Sequence, residues 1–190
     1  MKIFQKNKAL WIVLAVVLVV VLWFFAAYNS LVTLSESVDT AWAQVENQYQ
    51  RRADLIPNLV NTVKGFAAQE KSIFLDVTAM RSAWAGAATR ADKIEAAKGL
   101  DSAISRLLLV AENYPNLKSN ENFLALQTQL EGTENRIAVE RMRYNEAVRK
   151  YNIKIKRIPT VIVARMFNYM PETYFEIEEG TEAVPEVTFG

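Results

Sequence analysis

The sequence predicts an all-α protein: an N-terminal transmembrane helix, then an elongated antiparallel bundle of about four helices and a short C-terminal helix. Three observations carry this. Glycine (6) and proline (5) are scarce in 190 residues, unlike the turn-dense sandwiches and barrels. Residues 9–28, ALWIVLAVVLVVVLWFFAAY, contain no charge. Beyond them, apolar residues recur at helical spacing over long stretches.

The stretch from Ala9 to Tyr28 is 20 residues without a charge, and at about 1.5 Å per residue it spans roughly 30 Å, the thickness of a hydrocarbon core. Trp11 lies near one end, Trp23 and Tyr28 near the other, as interfacial aromatics do. A cleaved signal peptide is the rival reading, but its apolar region is shorter and ends in alternating small residues. Here Phe24 and Phe25 stand two positions before Ala26 and Ala27, so an uncleaved anchor is expected. Lys2, Lys6 and Lys8 precede the span and the next basic residue is Arg51. The positive-inside rule therefore assigns residues 1–8 to the cytoplasm and everything after Tyr28 to the far side. Taking those three lysines from the net charge of +1 leaves −2 for residues 9–190, which offers no global charge for nucleic acid.

The first proline is Pro57 and the first glycine Gly65, so nothing forces a break between the span and the chain beyond it. The sevenfold series Leu31, Val38, Val45, Arg52, Leu59, Phe66 keeps its phase across Pro57. This predicts one continuous helix with a kink at Pro57, which cannot bond the carbonyl of Ala53. A second helix is expected over Gln69–Trp84, with Ile73, Val77, Met80 and Trp84 on one face. AGAATRADK reads as a turn, and a third helix is expected over Asp92–Tyr114, stopped by Pro115. YPNLKSNEN reads as a loop with Ser119 or Asn120 as N-cap of the next helix. That fourth helix, Asn120–Ile158, carries Phe123, Leu130, Ile137, Tyr144, Tyr151 and Ile158 in steps of seven. RIPTVIVARMFNYM predicts a short helix after Pro159, apolar enough to dock on the bundle or on a membrane surface. The expected organisation is thus a bundle over residues 29–170 and an acidic, partly extended tail over 171–190. The tail is expected to be ordered where Tyr174, Phe175 and Ile177 bury.

Composition narrows the chemistry. Hydrophobic residues make up 51% and charged residues 23%, enough for a packed core, and there is neither cysteine nor histidine. Disulfides, thiol nucleophiles, Cys/His zinc sites and Ser-His-Asp triads are excluded. The Glu-x-x-His pattern of di-iron bundles is excluded as well.

The polar candidates fall in two stretches and the tail. RRADLIPNLV holds Arg52, Asp54, Pro57 and Asn58; the fourth helix holds Glu134, Glu140 and Arg141. Arg52 occupies a core-facing heptad position, so a polar layer pairing it with Glu134 or Glu140 to set helix register is the leading expectation. A partner-binding or conduction-like charge cluster and simple snorkelling to solvent are the alternatives. Asp54 with Glu134 or Glu140 would make a carboxylate pair for glycoside hydrolysis only beside an aromatic groove, and Trp42 and Tyr49 lie on the bundle stripe instead. Tail residues 172–190 carry six glutamates and no Lys or Arg, a solvated run rather than a calcium loop. TYFEI, with Tyr174 and Phe175, has the alternation of a segment that adds to a neighbouring chain.

These blocks resemble the LemA family of bacterial membrane proteins. The resemblance runs from YNSLVTLSESVDTAWAQVENQYQRRADLIPNLV through VKGFAAQEKSIF to YPNLKSNENFLALQTQLEGTENRIAVERMRYNEAVRKYN and IPTVIVARMFNYMPETYFEI. It implies an N-terminal anchor followed by an antiparallel helical bundle, no established reaction, and a loose association with envelope functions and membrane proteases. Together, residues and resemblance predict a non-catalytic, cofactor-free, single-pass protein of the bacterial inner membrane. Its bundle would lie on the extracytoplasmic side as a scaffold or interaction module, self-associating through its heptads. An adaptor or regulator of a membrane protease is the first alternative, a carboxylate hydrolase the second.

Overall fold

With no glycine or proline before Pro57, the chain enters helix at its start and stays in it. In the computed structural model, which describes residues 2–175, α1 runs unbroken from Lys2 to Lys64. Its N-terminal part is long and apolar enough to cross a membrane. Next along the chain come α2 (Lys71–Gly86), α3 (Arg90–Asn113), the single turn α4 (Pro115–Lys118), α5 (Glu121–Lys156) and α6 (Thr160–Met166). No strand occurs among the described residues. Ile177 and the glutamates at 176, 178, 179, 182 and 186, expected as part of the acidic tail, lie outside them.

Local chemistry accounts for the boundaries. Thr89 caps α3 by accepting from the Asp92 amide, and Asn120, not Ser119, caps α5 by accepting from the Phe123 amide. Pro115 ends α3 and then opens α4 at its first position, so the segment expected as a loop contains a helical turn. α5 ends at Lys156, two residues short of the expected Ile158, because Arg157 is extended ahead of the Ile158–Pro159 dipeptide. Asn168, in the left-handed region with φ 58°, turns the chain after α6 while the Tyr169 amide bonds the Ala164 carbonyl.

Paired positions give the topology. On α1 and α5, Arg52 meets Glu134 and Trp42 meets Tyr144, and Tyr28 meets Phe167 just past α6, so the chain returns antiparallel to α1. Lys64 over Phe74 and Tyr49 beside Trp84 set α2 antiparallel to α1. Asp39–Arg90 and Tyr49–Asp101 set α3 parallel to it. The result is an up-down-up-down bundle.

The heptads are used inside one chain. Leu31, Val38, Val45 and Leu59 of α1 are buried, as are Phe123, Leu130, Ile137, Tyr144 and Tyr151 of α5. The expected stripe fails at its ends. α1 stops at Lys64 and leaves Phe66 exposed, and Ile158, beyond α5, is exposed as well.

Pro57 sits within α1 without ending it. Proline lacks the N–H that would bond the Ala53 carbonyl. The Nε of Arg81, on α2, donates to that carbonyl at 3.0 Å. A neighbouring helix thus supplies the missing donor, which is why the helix tolerates a proline one residue past the buried Ile56.

Candidate functional site

Arg52 is 5% exposed, and an arginine taken that far from water needs partners. Its Nη1 donates to Glu134 and lies 3.5 Å from Oδ1 of Asp101. Asp101, on α3, is the hub: its Oδ2 accepts from Tyr49 Oη at 2.8 Å and from Arg141 Nη2 at 2.5 Å. α1, α3 and α5 therefore meet in one polar layer. Arg141 also stacks its guanidinium 4.4 Å from the Phe175 ring, and that ring lies parallel to Tyr49 at 6.1 Å.

The structure brings Arg52, Glu134 and Arg141 together around Asp101. Glu140 does not join them; its Oε1 accepts from Arg143, three residues on, at 2.7 Å. Asp54 is exposed and accepts from Gln50 one turn earlier, and Asn58 is exposed, its carbonyl accepting from Thr62. Asp54, Glu134 and Glu140 thus have three different partners. Among the described residues no group of three acidic side chains is placed to hold a metal ion.

Asp101 is missed from sequence because it follows Leu100 on a helix whose pattern speaks only for its apolar face. Its signal is the position four residues after Ala97, on the same buried side.

The tail docks on its own chain. Asn152 donates Nδ2 to the Glu172 carbonyl at 2.8 Å and accepts from the Glu172 amide at 2.9 Å. Asn145 repeats both bonds with Phe175, each at 2.8 Å. Tyr144 Oη donates to the Thr173 carbonyl at 2.7 Å and Tyr151 Oη to that of Met170 at 2.9 Å. Seven helical residues from Asn145 to Asn152 rise about 10.5 Å, and three extended residues reach about 10–11 Å. The segment between Glu172 and Phe175 is therefore nearly fully extended. The signal is the doublet Tyr-Asn at 144–145 and again at 151–152; the heptad pattern makes use of its tyrosines alone.

Phe175 is buried and Tyr174 is exposed, against the expectation that both bury. In an extended segment successive side chains point to opposite sides, so only one can face the bundle. Glu172 anchors the same segment to Arg90 at 2.8 Å, and Arg90 also bonds Asp39 at 2.6 Å. Burial disfavours the Arg90 charge, but the Asp39 bond and the field of Glu172 outweigh it and hold the guanidinium above its ordinary pKa. Burial pushes the Tyr144 hydroxyl up to about 12.

Beside Phe175 opens a groove of about 1220 Å³, lined by Ser102, Ser105, Met142, Arg143, Arg149 and Tyr174 among others, with Asp101, Glu134 and Arg141 at its wall. Asp101 with Arg141 and Glu146 with Arg149 pair within it, while Glu134 and Arg143 pair with Arg52 and Glu140 outside it, an arrangement suited to positioning and contact.

The model of the LemA family matches residues 41–189, which takes in α1 from Ala41 onward, the polar layer and the tail-binding doublets. The chain belongs to the LemA family. This LemA-family chain is 28% identical over 184 residues to the magnetosome proteins MamQ 1 and MamQ 2 of Paramagnetospirillum magneticum. It is 27% identical over 183 residues to the magnetosome protein MamQ of Magnetospirillum gryphiswaldense. Each match covers 78% of the LemA-family chain and 64% of the relative, so the chain spans just under two thirds of the length of these curated proteins.

Proposed function

We propose that this LemA-family protein is a membrane-anchored, non-catalytic scaffold or interaction module of the bacterial envelope, and that it self-associates. In this reading its N-terminus is cytoplasmic and its bundle stands on the extracytoplasmic side of the inner membrane. The observation that carries it is the continuity of α1. One helix takes the chain from an apolar, membrane-length segment into the bundle without a joint. Whatever binds the groove beside Phe175 is held at a set distance from the bilayer. The likeness to proteins named as magnetosome proteins supports a part in a bacterial assembly.

Self-association needs surface beyond the heptads, which are consumed within one chain. The groove supplies it, with Met142 and Tyr174 exposed at its rim. A protease adaptor would use the same surface for another partner.

Since the chain has no cysteine, Met142→Cys introduces a single thiol into the groove. Bis-maleimide treatment of membranes holding this variant is expected to yield a crosslinked homodimer. Monomer alone in membranes, in detergent and in lipid would remove self-association. A photo-crosslinker at position 142 that captured a membrane protease in place of a second copy would favour the adaptor.

A further inference from the structure

We infer that α6 is a second membrane contact, a foot that rests in the surface of the same bilayer that α1 crosses. Thr160, Val163 and Ala164 of α6 are buried against the bundle. The opposite side of α6 is apolar and exposed, Ile162 at 64% and Met166 at 60%, and the residues bordering the helix, Ile158 at 82% and Met170 at 66%, are exposed as well. Ile162 and Met166 lie one turn apart on α6, so they form one stripe.

The height of this stripe is set by ring contacts. The Phe167 ring lies 4.7 Å from that of Tyr28 and 6.2 Å from that of Phe24. Tyr28 closes the apolar run, Asn29 and Ser30 being polar, and Phe24 lies one turn inside it, so the end of α6 sits where α1 leaves the hydrocarbon. Phe167, 47% exposed, joins the end of α6 to the apolar surface of the span. Lys156, Arg157 and Arg165, all exposed, flank the stripe. They suit anionic headgroups, with their stems along the apolar face and their charges outward. A helix with an apolar face and a cationic margin at this depth is covered by lipid, and contact at two points fixes the tilt of the bundle over the membrane.

The inference rests on α1 being the span, and the test separates the two. Nitroxide labels are placed on the full-length protein at Ile162→Cys and Met166→Cys, with Leu18→Cys in the span and Leu75→Cys on the exposed side of α2 as references. The protein is reconstituted in vesicles of mixed phosphatidylcholine and phosphatidylglycerol. Labels at 162 and 166 are expected to collide more with oxygen than with a water-soluble nickel complex, as at 18 and opposite to 75. Combining Arg157→Gln with Arg165→Gln, or omitting phosphatidylglycerol, is expected to narrow that contrast. Water-like accessibility at 162 and 166 with a lipid-like label at 18 overturns the foot and leaves the span. Protection from both reagents at 162 and 166 overturns it too, since protein would then cover the face. A water-like label at 18 overturns the span and the foot with it.

Discussion

Arg52 invites attention as a buried charge, yet Asp101 carries more of the polar layer. Asp101 accepts from Tyr49 and Arg141 and lies beside Arg52, so its removal takes from two guanidiniums the anion they share. Asp101→Asn is expected to cost about 3–5 kcal/mol, the scale for breaking a buried ion pair from one side. Arg52→Met is expected to cost less, because Asp101 keeps two donors and Glu134 is 48% exposed at its side chain. Chemical denaturation in detergent that ranks the two the other way would remove Asp101 as the hub. Pro57 and Arg81 make a second residue-scale case. Arg81→Met should cost about 1–2 kcal/mol, a buried carbonyl left without a donor. After Pro57→Ala the helix supplies its own N–H to Ala53, and the same Arg81→Met change should then cost clearly less. An unchanged cost in that double-mutant cycle would show that the bond to Ala53 is not what Arg81 contributes.

The element that defines the site is an extended strap held on a helix by side-chain amides. The Tyr-Asn doublets recur after seven residues because α5 brings the same face round after two turns. Each asparagine offers a donor and an acceptor, matching the amide and carbonyl of one strap residue. Asn152→Ala is expected to speed amide exchange at Glu172 roughly thirtyfold, and Asn145→Ala to do so at Phe175, as two bonds of about 1 kcal/mol each are lost. Exchange that rises equally at both residues in either variant would mean the strap opens as a unit through Phe175 instead.

At the scale of the whole molecule, the strap joins α5, α3 and α1, so the protonation state of the α5 tyrosines that hold it bears on global stability. Burial raises Tyr144 to about 12, above about 10 in an unfolded chain. Burial raises Tyr151 too. A raised tyrosine pKa means the unfolded chain loses its proton first. The stabilising contribution is therefore complete below about pH 10 and is lost as pH rises from 10 to about 12. Denaturant midpoints measured from pH 8 upward should fall over that window, and Tyr144→Phe should flatten the fall. An equal fall in Tyr144→Phe would assign the loss to other groups.

Features that are periodic or cumulative were legible in the chain alone. The charge-free stretch of residues 9–28, the in-phase heptads, the cap at Ser119 or Asn120 and the proline after Ile56 act within a few turns, and local chemistry suffices to read them. The missing histidine and cysteine likewise settled which chemistries to discard. Packing of the helices against one another was needed to choose between Glu134 and Glu140 for Arg52, to set Asp101 between Arg52 and Arg141, and to bring Arg81 to the carbonyl left open by Pro57. Packing also buried Phe175 and left Tyr174 outside. The bonds of the polar layer and of Arg81 join residues between 28 and 82 positions apart. They depend on how far each helix is rotated and shifted against its neighbour, and a one-residue change in either would hand each arginine a different partner. A helical pattern states which face turns inward; only packing states what that face meets.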